Sequence, residues 1–289
     1  MIYKIGNVYI EWLDTNFKIR NDEFMKKFEV NEIKSLDCQK ITFRTEVRDM
    51  SFVTKYPLLN KSSSSELYET ERGKLMIYHW AMCRFGIGYW MEDLDKDEII
   101  CYFHPEMEKQ VPVDASWFFS IAGLHRILLQ KQHAVLHASC ILWKEKTIVF
   151  TAPSQTGKST QSRLWVGYEE AKIINDDRIL LGKDVLQWKS YGYPSCGSSK
   201  ICVNETAPIG VIVILEQGKD NRVEELSYFE KIKALVSGIE VYRWQLDEID
   251  MSINCAGQIV QEVPMVKLVC RPDQEAVEVL RSYLQEKGW

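Results

Sequence analysis

Apolar and polar positions along this chain of 289 residues follow two rhythms. Ile41-Thr42-Phe43-Arg44-Thr45-Glu46-Val47 alternates at every second position, the period of a strand with one buried face. Residues 75–78, 85–89 and 99–103 are short aromatic or β-branched runs that predict further strands, with the acidic turn 92–97 between the last two. Residues 61–66 form a polar, serine-rich loop. Residues 1–110 thus predict a smaller β-rich domain. No motif in it carries chemistry, which leaves packing or peptide and partner recognition as its role.

The rhythm then lengthens. Trp117, Ile121, Leu124, Ile127 and Leu128 recur at helical spacing, with Asp114 or Ser116 placed to cap the helix. A hairpin follows, with strands over 134–143 and 147–151 joined by the charged turn Lys144-Glu145-Lys146. A helix is expected from Lys158, carrying Leu164 and Trp165 inward. Further strands are expected over 172–174, 179–181, 210–215 and 265–269, and two helices over 228–237 and 274–286. The chain has no internal repeat. The fold expected for 111–289 is a mixed-sheet core with helices, of α+β or α/β class.

Composition narrows the function. Hydrophobic residues make up 46% and charged residues 27%, enough for a sizeable core in one large or two modest domains. A net charge of −5 argues against a general nucleic-acid binder. The longest clean apolar run, 209–215, is far short of the roughly 20 residues a membrane-crossing helix needs. Near the N-terminus Ile2, Ile5 and Val8 are separated by polar residues and followed by Glu11 and Asp14, unlike a signal peptide. The expected location is the cytoplasm, with no membrane partner. The eight cysteines (Cys38, Cys83, Cys101, Cys140, Cys196, Cys202, Cys255 and Cys270) include no CxxC pair, so their spacing signals neither zinc nor a disulfide framework.

Chemistry concentrates where the hairpin ends. Ala152-Pro153-Ser154-Gln155-Thr156-Gly157-Lys158-Ser159-Thr160 matches a phosphate-binding loop between a strand and a helix, except that Ala152 stands where the motif has its first glycine. In such a loop successive backbone N–H groups and the helix N-terminus face phosphate oxygens. Gly157 lets the backbone approach, Lys158 sets a cation beside the β- and γ-phosphates, and Ser159 offers a hydroxyl to Mg²⁺. Ser154, Gln155, Thr156 and Thr160 complete the cradle expected to hold ATP. Ala152 precedes proline and is therefore expected in extended backbone. Gln155 is the position that a left-handed backbone would strain.

His137-Ala138-Ser139, the hairpin, the lysine loop and Asn175-Asp176-Asp177 together resemble the HPr kinase/phosphorylase catalytic domain. They resemble more closely the HPr-kinase-like proteins of ribosomal peptide pathways, such as lasso-peptide serine kinases. Phosphoenolpyruvate carboxykinase shares that nucleotide-binding core. Gly192-Tyr193-Pro194-Ser195-Cys196-Gly197-Ser198-Ser199, Ala207-Pro208-Ile209, Leu215-Glu216-Gln217 and Val263-Pro264-Met265 extend the resemblance over roughly 117–285.

The resemblance implies a P-loop-containing catalytic domain over 111–289, with ATP and Mg²⁺ as cofactors and a peptide or small-protein substrate. By analogy it also implies a homo-oligomer. Asp176 and Asp177 match the family's acidic pair, in which one carboxylate holds metal and the other takes the proton of an attacking hydroxyl. His137 matches a histidine near the phosphates. Arg178 and the Gly197-Ser198-Ser199-Lys200 stretch are candidates for phosphate and acceptor contacts. For Arg243 and Arg271 the expected role is surface ion pairing. The family's downstream glycine-rich signature is missing after Leu215, which argues against HPr itself as substrate and against reverse phosphorolysis. Two other functions fit the same residues: a nucleotide-binding regulatory or peptide-recruiting module without transfer, and a small-molecule kinase.

Overall fold

A computed structural model of the chain describes residues 1–13, 19–34, 39–63, 65–71, 73–79, 86–90, 98–105 and 113–289. The acidic turn 92–97, Phe85, Cys38 and Cys83 lie outside the described residues. The chain divides into two compact units, Met1–Ile127 and Leu128–Trp289.

The first unit contains β1 (Ile2–Ile5), β2 (Val8–Leu13), β3 (Ile19–Arg20), β4 (Glu29–Val30) and β5 (Gln39–Val47). It continues with β6 (Leu58–Lys61), β7 (Ser65–Thr70), β8 (Gly73–His79), β9 (Gly86–Trp90), β10 (Glu98–Phe103) and β11 (Val113–Asp114). Nine of these form one sheet in the order β4-β1-β2-β5-β10-β9-β8-β7-β6. The strands expected around 41–47, 75–78 and 99–103 are all present. In β5 the alternation does what its period requires, burying Ile41, Phe43 and Thr45.

The helix expected over 117–128 is interrupted. It forms α1 (Ala115–Ile121) and α2 (Leu124–Gln130), parted at Gly123, whose φ of 74° ends the first. Asp114 sits at the N-cap position without capping; its carboxylate pairs with Arg20, and Asp22 instead accepts from Ser116 N at 2.7 Å. Phe118 and Phe119 pack on Tyr3, Trp12, Phe43 and Phe103 of the sheet. These aromatic contacts place α1 in the first unit, and the two compact units meet at 127/128.

The second unit opens with the long hairpin β12 (His133–Trp143) and β13 (Lys146–Thr151), then α3 (Lys158–Glu169). It continues through β14 (Lys172–Asn175), β15 (Arg178–Lys183), β16 (Trp188–Tyr191), β17 (Thr206–Gln217) and β18 (Arg222–Glu225). It ends with α4 (Tyr228–Gly238), α5 (Leu246–Glu262), β19 (Met265–Cys270) and α6 (Gln274–Glu286). The 17-residue α5 and the short β16 and β18 are additions to the sequence-based expectation.

The eight-stranded sheet runs β13-β12-β15-β16-β17-β19-β18, with β14 on β12 and β13 also beside β17. The parallel pairs are β13–β17 and β17–β19. Alternate residues face opposite layers. Leu136, Ala138, Cys140, Val149, Ile212 and Met265 pack with Leu235 of α4 and Cys255, Ala256 and Ile259 of α5. Ile141, Ile148, Phe150, Val211, Val213 and Leu268 pack with Trp165 of α3 and Ala276, Val277, Leu280 and Leu284 of α6. The second unit is therefore a sheet between two helical layers, a mixed α/β fold.

Strand β12 changes partners midway. Residues 133–137 of β12 pair with β15, whereas 138–143 pair with β13. The split falls between His137, opposite Arg178, and Ala138, opposite Thr151. The link from β14 to β15, Asp176-Asp177, lies across this split, and Ala138 N donates to the Asp177 carbonyl at 3.0 Å.

Candidate functional site

The loop 152–157 leaves the carboxyl end of β13 and enters α3 at Lys158, the residue from which the motif predicted a helix. Gly157 has φ 109° and Gln155 φ 66°. The left-handed turn that would strain a side chain at 155 is thus adopted, whereas Ala152 has no positive φ. Thr156 Oγ1 braces the loop by donating to the Pro153 carbonyl at 2.9 Å. Ser154, Gln155 and Thr160 are exposed, and Thr156, Gly157 and Ser159 are half-buried. The first N–H groups of α3 lack intrahelical acceptors, as at any helix start, and make the loop a ready anion cradle.

Lys158 is buried, and its ammonium donates to the carbonyls of Ala152 at 2.9 Å and Pro153 at 3.1 Å. Burial draws its pKa below the ordinary lysine value, while the negative charges of Asp177 and Asp176 oppose that shift. Both carboxylates therefore lie within electrostatic reach of the loop lysine.

The two carboxylates have different surroundings. Asp176 is 6% exposed and is held from inside the unit. Ser139 Oγ donates to its Oδ1 at 2.8 Å, and Ser162 Oγ lies 2.6 Å from Ser139 Oγ. With the Ser139 proton committed to the carboxylate, Ser162 of α3 is the donor in that second bond. The acidic pair is thereby tied to the helix that starts at the phosphate loop. Arg163 Nη2 stands 4.0 Å from Asp176 Oδ2.

Asp177 is more open. Arg178 pairs with its Oδ2, and His137 Nδ1 lies 3.6 Å from Oδ1 and 3.1 Å from the Asp177 backbone carbonyl. His137 is held below its ordinary pKa, first by burial and then by the nearby positive charges of Lys158 and Arg178, against the opposing effect of Asp177. It is a neutral imidazole at neutral pH.

Asn175 fixes the turn. Its Oδ1 accepts from the N–H groups of Asp177 at 3.1 Å and Arg178 at 3.2 Å, and its Nδ2 donates to the carbonyls of Tyr193 at 2.8 Å and Ser195 at 3.2 Å. The 192–200 segment is thereby brought against the pair. A Cβ at Gly197 would come within 3.3 Å of the Asp177 Cβ, so only a glycine lets the segment approach this closely without displacement. Arg178 Nη1 reaches Ser195 Oγ at 3.3 Å, and its Nε donates to Glu240 at 2.9 Å.

Lys158, the Asp176–Asp177 pair and His137, which come from separate parts of the sequence, are thus neighbours. Arg271 makes the ion pairs expected of it, with Asp273 at 2.7 Å and with Glu275. Among the described residues Arg243 has no such pair; its guanidinium donates to the Ser237 and Ile239 carbonyls at the end of α4. Sequence reasoning gave no role to Ser162 or Gln161 and quoted Ser139 only within a motif. Their signal was a polar side chain on an element whose neighbours are buried: Ser139 and Ser162 are 0% and Gln161 2% exposed.

Two clefts flank the loop. One of about 430 Å³ is lined by Gln155, Thr156, Gly157, Thr160, Gln161, Gln217, Gly218 and residues 270–272. The other, about 230 Å³ and largely apolar, lies among Ala152, Pro153, Ile214, Leu226 and Ala234.

Among the described residues no three His, Cys, Asp or Glu side chains converge to hold a metal. The oxygen donors present, the Ser159 hydroxyl and a carboxylate, fit Mg²⁺ that arrives with phosphates and keeps several waters. No helix among the described residues is long and apolar enough to cross a membrane.

No family model and no curated protein matches the chain. Among solved structures the chain is similar to the HPr(Ser) kinase/phosphatase from Coxiella burnetii, at 14% identity, over 53% of this chain and 99% of that one, with a TM-score of 0.31. At that score the likeness says nothing of this chain's chemistry.

Proposed function

We propose that this chain is an ATP- and Mg²⁺-dependent kinase that transfers the γ-phosphoryl group to a serine or threonine hydroxyl of a peptide or small protein. The observation that carries the proposal is the convergence of a lysine-bearing phosphate loop with two carboxylates of unlike environment. The ammonium of Lys158 feels both Asp176 and Asp177. Phosphoryl transfer asks little else of a protein than positioning, charge neutralisation and a group that accepts the hydroxyl proton.

In this scheme the loop N–H groups and Lys158 hold the β- and γ-phosphates. Ser159 and Asp177 would hold Mg²⁺, which supplies charge neutralisation on the phosphate oxygens. Asp176 takes the acceptor proton. The Gly197–Ser198–Ser199 stretch beside Asp177 borders the place of the acceptor. The first unit is assigned to peptide recognition. Its edge strand β6 pairs only with β7 among the described strands, and Leu58 and Leu59 on it are each 48% exposed, which suits the addition of an extended peptide strand.

One observation favours a second function, a nucleotide-binding module that recruits a peptide without transfer. Asp177 is already paired with Arg178, so its charge is partly neutralised before any metal arrives. ATP turnover measured with and without candidate peptides, with mass spectrometry for a phosphate adduct, separates the two. A phosphopeptide that disappears when its acceptor Ser or Thr is changed to Ala supports the kinase. ATP binding without turnover under all peptides supports the module.

A further inference from the structure

The phosphate loop follows the carboxyl end of β13. The amino ends of the parallel strands β13, β17 and β19 border a separate groove of about 550 Å³. It begins at Lys146, the first residue of β13, roughly 15–20 Å along that strand from the loop. Ile209, Val211, Met265 and Leu284 line it and are buried, which makes its floor apolar. One wall is aromatic. The Trp289 indole lies over Gly210, where an added Cβ would sit 1.7 Å from the ring, and it stacks on Trp143 at 5.5 Å. The register of β17 against β13 slips between Thr147–Ile209 and Ile148–Val211, so Gly210 is the extra residue of a bulge. A glycine at that bulge is what admits the indole.

The rim is basic, although the chain as a whole carries a net charge of −5. Lys146 of β13, Lys231 of α4 and Lys287 just after α6 all line the groove. Among the described residues none of these three makes an ion pair. Lys146 and Lys287 lie instead over the rings of Trp289 and Tyr283, each 5.4 Å from the centroid. By contrast Lys172, Lys183, Lys189 and Lys267 of the same unit all pair with carboxylates. Glu225, the carboxylate that lines the groove, is engaged by the Tyr283 hydroxyl at 2.8 Å. Gln187 also lines the groove, and the two residues before it, Val185 and Leu186, are 97% and 84% exposed. An apolar floor and an exposed apolar turn beside unpaired cations define a surface complementary to an acidic partner with apolar side chains.

We infer that this groove docks an extended acidic segment of the peptide substrate, with apolar side chains between its carboxylates, at a distance from the acceptor hydroxyl. The inference rests on the proposed peptide partner. Carboxylates of the segment meet Lys146, Lys231 and Lys287, and its apolar side chains cover the floor and the Val185–Leu186 turn. The three cations come from three separate elements, and the apolar turn lies beyond the groove's own lining, so the surface fits an extended chain better than a small anion. Docking away from the transferred group raises the effective concentration of the acceptor at the phosphate loop and selects among peptides.

The experiment is fluorescence anisotropy on the full chain, without ATP, using a labelled peptide of alternating Glu and Leu and its counterpart with Gln for Glu. The expected result is that the acidic peptide binds roughly tenfold or more tightly than the neutral one. The triple variant Lys146→Glu/Lys231→Glu/Lys287→Glu loses that binding, and Val185→Ser/Leu186→Ser weakens it. Equal binding of the two peptides by the wild-type chain overturns the inference without any variant needing to fold. So does an equal loss when the exposed Lys4, Lys26 and Lys34 of the first unit are reversed instead, which reports net charge alone. Displacement of the peptide by N-acetylglutamate amide at matching concentration overturns it in favour of a small anion. A wild-type dimer that the triple reversal dissociates in sedimentation overturns it in favour of a second copy. Docking with the expected properties but no transfer to any peptide keeps the groove and removes the kinase. Transfer to an acidic peptide with a KM unmoved by the triple reversal removes the groove and keeps the kinase.

Discussion

Ser139 Oγ donates to Asp176 Oδ1 at 2.8 Å, joining β12, the first strand of the hairpin that leads into the lysine loop, to the acidic turn after that loop. Both residues are buried. Ser139→Ala leaves a buried carboxylate oxygen short of a donor, at a cost of about 1–3 kcal/mol in unfolding free energy. Ser139→Thr keeps the hydroxyl and is expected to cost less. In an Asp176→Asn background the Ser139→Ala cost should shrink, because the two residues are coupled. Denaturant unfolding of wild type, both single variants of the cycle and the double variant checks this; equal costs in both backgrounds would mean that the carboxylate charge adds nothing to the bond.

The loop backbone makes a second prediction. Gly157 has φ 109°, which L side chains rarely adopt, so Gly157→Ala should destabilise the chain by more than about 1 kcal/mol even though no atom obstructs the new methyl. Gln155→Gly relieves a left-handed residue but adds glycine's freedom to the unfolded chain, so its effect should stay within about 1 kcal/mol. Thermal unfolding of both variants tests the asymmetry.

How much of this was legible beforehand depends on whether local pattern and tertiary use agreed. The hairpin, the start of α3 and the strands of the second unit other than β16 and β18 were legible because apolar runs and the loop motif signal them in consecutive residues. Helix α5 was not. Its buried stripe runs through Glu248 and Ser252 as well as Cys255, Ala256 and Ile259, so the apolar period is broken where the helix is most buried. Glu248 is tolerated there because its carboxylate accepts from Tyr242 N and from Gln245 Nε2, each at 2.8 Å. The acidic pair could be picked out as a motif. That Asp176 is enclosed by Ser139 and Ser162 while Asp177 faces Arg178 and His137 depends on β12 changing partners at residue 137, a nonlocal event with no sequence period.

Lys158 donates to two loop carbonyls, contacts that a bound phosphate would replace. Lys158→Met should preserve the fold, since the Pro153 carbonyl belongs to an exposed residue and can be hydrated instead. Loss of a charged donor to phosphate is expected to weaken tripolyphosphate and ATP binding roughly ten- to a hundredfold. Calorimetric titration measures it, and wild-type affinity in the folded variant would remove the basis for the phosphate loop.

Histidines set a pH dependence. His133 and His137 are both held below the ordinary value, burial being the largest cause in each. The unfolded chain therefore takes up these protons at a higher pH than the folded one, near about 6.5. Below that value the unfolded state binds more protons, so stability is present above about pH 6.5 and is lost as pH falls through it towards the folded values. The double variant His133→Gln/His137→Gln should show a flatter stability profile between roughly pH 6.5 and 5.5, before carboxylates begin to titrate. Denaturant midpoints across that window check the slope; an unchanged slope would mean that neither histidine is the source.

The acidic pair should separate kinetically. The Asp177 side chain is 22% exposed beside Arg178, whereas that of Asp176 is 2% exposed and is held by Ser139. Asparagine keeps the shape of either residue and removes its charge and most of its basicity. If Asp177 meets the metal, Asp177→Asn weakens Mg²⁺–ATP binding and raises the Mg²⁺ needed for half-maximal rate. Its loss also leaves Arg178 without one of its two carboxylate partners, Glu240 remaining at 2.9 Å. If Asp176 is the base, Asp176→Asn binds nucleotide normally and slows only the transfer step, by roughly 10²–10⁴-fold. Single-turnover transfer and nucleotide binding, measured on each variant, distinguish the two effects. Exchanged signatures would swap the roles of the two residues and leave the kinase intact. Wild-type binding and transfer in both variants would reduce the pair to a turn between two strands, and the peptide-recruiting module would take the kinase's place.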